Sequence, residues 1–238
     1  MKIALIGYGK MGHMIEEIAL QRGHEIVLKI DAINQQDFTR ENISKAGVAI
    51  EFTGPDSAFE NVIKCIEFGI PVVSGSTGWN DKIERAKKVC MEKNGSFLHS
   101  SNFSIGVTIF FEVNTLLAKL MASQPEYDIT MKEIHHTQKK DAPSGTAVTL
   151  AEQILSHISR KKNWVNTAAR SKEELYIMSE RVDPAPGTHS VKYSSDVDDI
   201  EIIHTAHSRK GFALGAVLAA EYISDKKGIF SMKDVLHL

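Results

Sequence analysis

The stretch GYGKMG, residues 7 to 12, constrains the fold more than any other part of the sequence. It follows a short apolar run, residues 2–6, and precedes apolar residues that recur at helical spacing over 14–19. The order predicts a strand, a tight glycine turn and a helix. An acidic residue, Asp31, ends the next apolar run, as expected for a dinucleotide-binding unit. The alternative is a glycine turn that binds no ligand.

Each glycine of this stretch has a physical reason to be there. Gly7 permits the tight turn, Gly9 lets the backbone approach a pyrophosphate, and Gly12 lets the helix pack on the strand. Free N–H groups at the start of the helix would face the phosphates. The cofactor residues predicted in this loop are Gly7, Tyr8, Gly9, Lys10, Met11 and Gly12.

The residue at the end of the second predicted strand bears on cofactor choice. The Asp31 carboxylate would accept hydrogen bonds from ribose hydroxyls and repel a 2′-phosphate, which favours NADH over NADPH. Lys29 is close by and could offset that repulsion. The sequence therefore predicts NADH, NADPH or both, with NADH favoured.

Strand and helix patterns alternate as far as residue 100, which predicts an α/β fold with a Rossmann-type, doubly wound parallel sheet. Two small, polar loops fall at the carboxyl ends of predicted strands, where such sheets bind ligands. They are equally compatible with plain turns. The candidate cofactor residues in these loops are Gly75, Ser76, Thr77, Ser100, Ser101, Asn102 and Phe103.

The pattern changes after residue 103. A long apolar helix over 105–122 is followed by a strand over 127–136 and an amphipathic helix over 147–158. Extended segments separated by polar turns then fill 174–207. This order predicts a second domain of the α+β type, dominated by strands.

Composition excludes several classes of function. The chain is 42% hydrophobic and 24% charged, with a net charge of −2, which argues against a general binder of nucleic acid or membranes. Its partners should be small molecules or copies of itself. The two cysteines, Cys65 and Cys90, lack the spacing of a zinc site or a redox dithiol, so no metal is predicted. The first apolar run stops at Ile6, too early for a signal peptide, so we expect a cytoplasmic protein.

The stretch HHTQKKDAPSGTA, residues 135–147, concentrates potential positive charge before a helix. Ser144 is a candidate N-cap, and the N–H groups of Gly145 and Thr146 would suit a carboxylate. Adjacent side chains of a strand point to opposite faces, so His135 and His136 should do different jobs. The pattern favours a small dianionic substrate that receives a proton; the alternative is a solvated loop.

These residues resemble a known family. The run E-I-H-H-x-x-K-x-D-A-P-S-G-T-A, from Glu133 to Ala147, is similar to the signature of the 4-hydroxy-tetrahydrodipicolinate (dihydrodipicolinate) reductases of bacterial lysine and diaminopimelate biosynthesis. The likeness extends through GYGKMG, GSTGW, SSNFSIGV and the closing FALGAVLAAEYI and GIFSMKDVL. It implies reduction of a cyclic unsaturated dicarboxylate with NAD(P)H.

The resemblance also implies roles and an organisation. His135 would be the acid/base residue and Lys139 the proton donor, while His136, Gly145 and Thr146 would bind substrate. Residues 1–103 with 209–238 would form the dinucleotide-binding domain, and 104–208 the domain for substrate binding and tetramerisation. The assembly would be a homotetramer.

Two segments and one single residue depart from the family pattern. The segment VDPAPGTHS, residues 182–190, keeps only Gly187 and His189 of a G-D-I-V-G-E-H-like run, and SSNF replaces A-P-N-F. Ala32 stands where some members carry an arginine for the NADP phosphate. The rival functions are another two-domain nicotinamide oxidoreductase and a dinucleotide-sensing regulatory protein.

Overall fold

The chain forms two compact units in a computed structural model that describes residues 1–238. The first unit comprises residues 1–108 and 210–238, and the second comprises 109–209. The boundaries expected from sequence, 103/104 and 208/209, lie close to these. The larger difference falls within the first turn of the helix that begins at Ile105.

The elements are numbered in chain order. The strands are β1 (Lys2–Ile6), β2 (Glu25–Ile30), β3 (Val48–Glu51), β4 (Val72–Ser74), β5 (Ser96–His99), β6 (Asp128–His135), β7 (Asn163–Val165), β8 (Glu174–Arg181), β9 (Gly187–Ser194), β10 (Asp199–Ala206) and β11 (Gly228–Phe230). The helices are α1 (Lys10–Gln21), α2 (Arg40–Ile43), α3 (Pro55–Glu67), α4 (Asn80–Glu92), α5 (Ile105–Met121), α6 (Gly145–His157), α7 (Lys210–Ile223) and α8 (Met232–Leu236).

The first unit is built on a six-stranded parallel sheet with the order β11-β5-β4-β3-β1-β2. Helices α3 and α4 contribute to the core on one face, and α1 and α7 to the core on the other. Strands β3 and β4 are buried along their whole length, as expected where both faces are covered. The Rossmann-type prediction is therefore confirmed.

The carboxyl-terminal segment completes this sheet. Strand β11 pairs with β5 and forms one edge of the sheet, and the alanine-rich α7 packs fully buried residues against the sheet. Gly215 of α7 lies against the carbonyl of Phe103, and a Cβ at position 215 would overlap that oxygen. The close approach of helix and backbone thus depends on a glycine.

The second unit contains a five-stranded mixed sheet with the order β10-β9-β6-β8-β7. Strand β6 is antiparallel to β9 and parallel to β8. Buried residues alternate along β6 and β9 and pack against α5 and α6, which accounts for the period of two in the sequence. The predicted α+β class is confirmed.

Two further features of the chain bear on function. Both cysteines are buried free thiols, and burial raises the pKa of Cys65, so that thiol is a poor nucleophile. None of the helices combines the length and the apolar character needed to cross a bilayer.

Candidate active site

The glycine loop connects β1 to α1 at the carboxyl edge of the parallel sheet. Gly7 has φ +95°, and a Cβ there would overlap the carbonyl of Phe52, while a Cβ at Gly12 would overlap the carbonyl of Gly7. Both glycines are therefore required by the fold itself. Gly9, the N-cap of α1, has nothing within 4 Å of an added Cβ. It leaves open space at a helix amino end, which fits a pyrophosphate.

The other loop residues surround this opening. The ring of Tyr8 lies 4.1 Å from that of His13 and is tilted by 53° to it, and the Tyr8 hydroxyl donates to Glu16. Lys10 is exposed, whereas Met11 packs partly into the core. The loop thus offers one cation and a set of backbone N–H groups to solvent.

The end of β2 carries the residues expected to bind the adenosine ribose. Asp31 is half-buried and accepts a hydrogen bond from the N–H of Ala32 at 2.8 Å. Lys29 lies 2.6 Å from Glu16 and 4.6 Å from the ring centroid of Tyr8. Hydrogen bonds from Lys29 and Tyr8 hold the pKa of Glu16 below its ordinary value. The charge of Lys29 is therefore already paired.

A buried carboxylate that sequence reasoning missed lies beneath the loop of residues 75–77. Glu51, at the end of β3, is fully buried and accepts hydrogen bonds from Ser74 at 2.5 Å and Ser76 at 2.7 Å. The N–H and hydroxyl of Thr53 donate to it as well, at 2.9 and 2.5 Å. Ser76 therefore directs its hydroxyl into this network, while Thr77 is exposed. Gly75 has no Cβ because the ring of Phe52 occupies that space.

The loop of residues 100–103 follows β5. The hydroxyl of Ser100 donates to the carbonyl of Asn102 at 2.6 Å, and the side chain of Asn102 accepts from the N–H of Ser104 at 2.8 Å. Ser101 is exposed, and Phe103 is 2% exposed in the core beside Phe52. Of the four, Ser101 and Asn102 therefore have the side chains with most access to a ligand.

The histidine–lysine stretch lies in the second unit, at the end of β6. His135 is only 7% exposed, and His136, which follows the end of β6, is half-buried. Lys139 lies in the following loop, with its Nζ 2.8 Å from Asp141. That hydrogen bond lowers the pKa of Asp141. The positive charge that the sequence concentrates in this stretch is thus partly balanced at Lys139 by a carboxylate.

A buried polar cluster surrounds His135. The Nδ1 of His135 lies 3.4 Å from Glu133 Oε2, and the Nε2 of His189 lies 3.7 Å from the same oxygen. Neither contact is a hydrogen bond, and the Nδ1 atoms of both histidines lack a hydrogen-bond partner. These three groups have the spacing of metal ligands. Yet the carboxylate of Glu133 already accepts from Ser144 and Arg181, which favours a hydrogen-bonded cluster.

Burial governs the protonation of this cluster. Burial lowers the pKa of His135, although the negative charge of Glu133 opposes the shift. It lowers the pKa of His189 to about 4. Burial opposes ionisation of Glu133, but hydrogen bonds from Ser144, Ser179 and Arg181 outweigh it and leave the pKa of Glu133 below its ordinary value. At neutral pH the cluster therefore contains one carboxylate and two neutral imidazoles.

Helix α6 begins beside this cluster. The hydroxyl of Ser144 caps the helix by accepting from the N–H of Ala147 at 3.2 Å, as the sequence predicts. Its oxygen also lies 3.0 Å from His189 Nε2. The N–H groups of Gly145 and Thr146 have no acceptor within the helix, and nothing lies within 4 Å of a Cβ added at Gly145. This end of α6 can therefore receive a carboxylate.

The structure thus adds Glu133, His189 and Arg181 to the site formed by His135, Lys139 and the amino end of α6, which we call the second-unit site. Glu133 stands two residues before His135 on a strand, so period-two alternation could have placed it on the same face. His189 was recognised only as a retained motif residue. Arg181 carries no local signal, because its position depends on the pairing of β8 with β6.

The depressed pKa of His189 makes acid stability testable. Its folded pKa of about 4 lies below the ordinary histidine value of 6.5, so the unfolded chain binds more protons between those values and stability falls as pH falls through that window. From pH 7.5 to 5 we expect a loss of about 2 kcal/mol in the free energy of unfolding from this residue.

Urea unfolding of the wild type and of His189→Gln at both pH values measures that loss. Between pH 7.5 and 5 the free energy of unfolding should fall by about 2 kcal/mol less in the variant than in the wild type. His237→Asn, which changes an exposed histidine, is the control and should respond as the wild type does. Equal acid sensitivity of His189→Gln and wild type would contradict the assignment.

Together the two units define a class of protein. A Rossmann-type unit with an open glycine loop, joined to an α+β unit with a histidine–lysine cluster at a helix amino end, is an oxidoreductase that uses a nicotinamide dinucleotide. Residues 1–103 match the family model described as dihydrodipicolinate reductase, N-terminus, and residues 106–236 match dihydrodipicolinate reductase, C-terminus. The chain belongs to the dihydrodipicolinate reductase family.

Individual relatives agree with this membership. A 4-hydroxy-tetrahydrodipicolinate reductase of Christiangramia forsetii is 51% identical over 99% of this chain and 98% of its own length. One from Methanocaldococcus jannaschii is 36% identical over 98% of this chain and 81% of its own length. A solved dipicolinate-bound dihydrodipicolinate reductase from Paenisporosarcina sp. TG-14 matches with a TM-score of 0.80 at 20% identity, covering 97% of each chain. That structural likeness shows the fold.

Proposed function

We propose that this chain reduces 4-hydroxy-tetrahydrodipicolinate to tetrahydrodipicolinate, with His135 as the acid/base residue and Lys139 as the proton donor. The observation that carries the proposal is the second-unit site, where a buried histidine and a lysine are grouped with the amino end of α6. Relatives that match nearly the whole chain are named for this substrate. The dipicolinate bound to the solved neighbour is itself a cyclic dicarboxylate.

In this proposal the two units bind different ligands. The first holds the dinucleotide through residues 7–12, Asp31 and the loops at 75–77 and 100–103. The second holds the substrate, whose carboxylate binds the N–H groups of Gly145 and Thr146, with His136 as a further ligand. The open helix amino ends of α1 and α6 support this assignment, because each suits an anion.

The chemistry requires loss of the 4-hydroxyl group as water, with a proton from the adjacent ring carbon, and then the addition of one hydride and one proton. A reduced nicotinamide dinucleotide held by residues 7–12 and Asp31 would supply the hydride to the ring carbon that loss of water leaves conjugated with the imine. The product of that step is an electron-rich enamine, whose neighbouring carbon must be protonated. Lys139 carries the proton, and Asp141 holds its ammonium at 2.8 Å. His135 serves as the acid/base group from the buried end of β6.

Turnover by the purified protein tests the proposal. Substrate is generated in place by a separate synthase that condenses pyruvate with aspartate semialdehyde, and oxidation of NADH and NADPH is followed separately. Rapid oxidation that depends on the condensation product supports the proposal. Dinucleotide binding without oxidation would overturn it and favour a dinucleotide sensor.

Cofactor preference is a finer proposal, and NADH is the cofactor we favour. Asp31 ends β2, Ala32 provides no cation for a 2′-phosphate, and Lys29 is paired with Glu16. We expect Ala32→Arg to raise kcat/KM for NADPH relative to NADH by about tenfold, since a charge-assisted contact to phosphate adds roughly 1.4 kcal/mol.

Ile33→Arg is the matched control for this prediction. It adds the same charge at the next position, which is 90% exposed. An equal change in both variants would mean that net charge, rather than the position of the arginine, sets the preference. A wild-type enzyme that prefers NADPH would contradict the proposal directly.

A homotetramer is the assembly we propose. Apolar side chains remain exposed on the second unit, among them Met178 at 39%, Ile200 at 38% and Ile203 at 60%. Such a surface suits association with further copies of the chain. Light scattering coupled to size-exclusion chromatography tests this, and a monomeric mass at micromolar concentration would contradict it.

A further inference from the structure

A fully buried carboxylate links two parts of the second-unit site. Glu133 is 0% exposed and lies on the same face of β6 as His135. Its two oxygens accept from the N–H of Ser144 at 3.0 and 3.1 Å. Glu133 therefore joins the strand that carries His135 to the residue that caps α6.

An arginine on the neighbouring strand extends this link to the lysine loop. Arg181 of β8 is paired in register with His135, and its Nη2 lies 3.2 Å from Glu133 Oε1. The same Nη2 donates to the carbonyl of Asp141 at 2.6 Å, and its Nε donates to the carbonyl of Lys139 at 3.4 Å. The guanidinium thus connects the buried carboxylate to the backbone that carries Lys139.

We propose that Glu133 and Arg181 are a pair of positioning residues that hold His135, the loop of Lys139 and the amino end of α6 in one catalytic arrangement. The proposal rests on the roles given above to those three parts. Each part belongs to a different element, and no other contact described for the site joins all three. The planar guanidinium presents several donors in a fixed geometry, which a lysine cannot reproduce.

The charge of Glu133 also acts on His135. The ionisable groups around that imidazole are Glu133 on β6, Lys139 and Asp141 in the following loop, Arg181 on β8 and His189 on β9. The two carboxylates raise the pKa of His135, and the two cations lower it. Removing the charge of Glu133 should therefore lower the pKa of His135. The limb of the kcat–pH profile that reflects titration of His135 should move to lower pH.

The experiment is a double-mutant cycle on the full-length protein with Glu133→Gln, Arg181→Met and both together. Each single variant should lower kcat by about 100-fold, the effect of misplacing a catalytic group by about 1 Å. The kcat of the double variant should be only slightly lower than that of either single variant, because each single substitution already disrupts the same arrangement. The dissociation constant for NADH should stay unchanged, and Glu133→Gln should shift the acid limb of the kcat profile to lower pH.

A second ion pair on the same strands provides the control. Lys132 and Glu180 lie 2.8 Å apart across β6 and β8, and both are about 40% exposed. Lys132→Met and Glu180→Gln should leave kcat within about twofold of wild type, since exposed pairs contribute little. Similar losses in both cycles would overturn the specific role of Glu133 and Arg181.

The remaining outcomes also decide the question. The proposal would be overturned if the single variants kept the wild-type kcat. It would also be overturned if the fold-reduction of kcat in the double variant equalled the product of the two single reductions. Either result would leave the proposed function intact. An acid limb that does not move in Glu133→Gln would assign the residue to stability alone. If these variants fail to bind NADH because they do not fold, Arg181→Lys, which keeps the positive charge, replaces them. Its kcat should fall at least tenfold, and a wild-type value would overturn the proposal.

Absence of turnover in the wild-type protein would instead overturn the proposed function. The positioning proposal would fall with it. The two failures are therefore distinguishable, because one appears in the unaltered enzyme and the other only in its variants.

Discussion

Replacing Lys139 with alanine is expected to lower kcat by about 10²- to 10⁴-fold, the usual contribution of a positioned proton donor. The substitution removes the ammonium that Asp141 holds at 2.8 Å beside the buried histidine cluster. Lys139 lies outside the dinucleotide-binding unit, so the dissociation constant for NADH should not change. Steady-state kinetics together with NADH fluorescence titration would measure both quantities.

Lys140→Ala is the matched control for this result. Lys140 carries the same charge one position further along and is exposed, whereas the side chain of Lys139 is 23% exposed. The control should retain nearly full turnover. If Lys139→Ala kept the wild-type kcat, Lys139 would not be the proton donor.

Replacing Gly9 with alanine is expected to raise the dissociation constants for NADH and NADPH at least tenfold. Gly9 caps α1 with φ −86° and ψ −156°, a conformation open to any residue, and a methyl group there meets no protein atom within 4 Å. The fold should tolerate it at a cost of about 1 kcal/mol. A pyrophosphate against the backbone would be displaced by the same methyl group. Isothermal titration calorimetry measures the change.

Gly47→Ala controls for the loss of a glycine elsewhere in the same unit. Gly47 precedes β3, and an added Cβ would meet only the carbonyl of Lys2, at an ordinary 3.7 Å. Dinucleotide affinity should be unchanged in this variant. Wild-type affinity in Gly9→Ala would show that no ligand approaches this position and would remove the glycine loop from the cofactor site.

Long periodic elements could be predicted from the sequence, whereas some of the very short ones could not. The helix starting at Ile105 and the strand ending near His135 have enough residues to show their period. Strands β7 and β11 have three residues each and helix α2 has four, and all three were missed. A three-residue strand forms because a neighbouring strand supplies its hydrogen bonds, and no local pattern encodes that neighbour.

The candidate site divides in a similar way. His135, Lys139 and Ser144 lie in one continuous stretch, so their types and order were visible in the sequence. Glu51 and Arg181 lie at single positions in unremarkable segments, and His189 was visible only as a retained motif residue. The contacts of all three appear only when strands pair. The register that sets Arg181 against His135 is a property of the sheet.

The sequence by itself determined the fold class, the family and the stretches that carry the candidate chemistry, because glycine geometry, hydrophobic period and helix capping act over a few neighbouring residues. Only the tertiary structure decided which buried groups meet around His135 and beneath the cofactor loops. Those contacts join residues far apart in the chain, such as Glu133 with Arg181, and burial then sets their charge states. Electrostatic interactions depend on distance and solvent exposure in space, and sequence separation specifies neither.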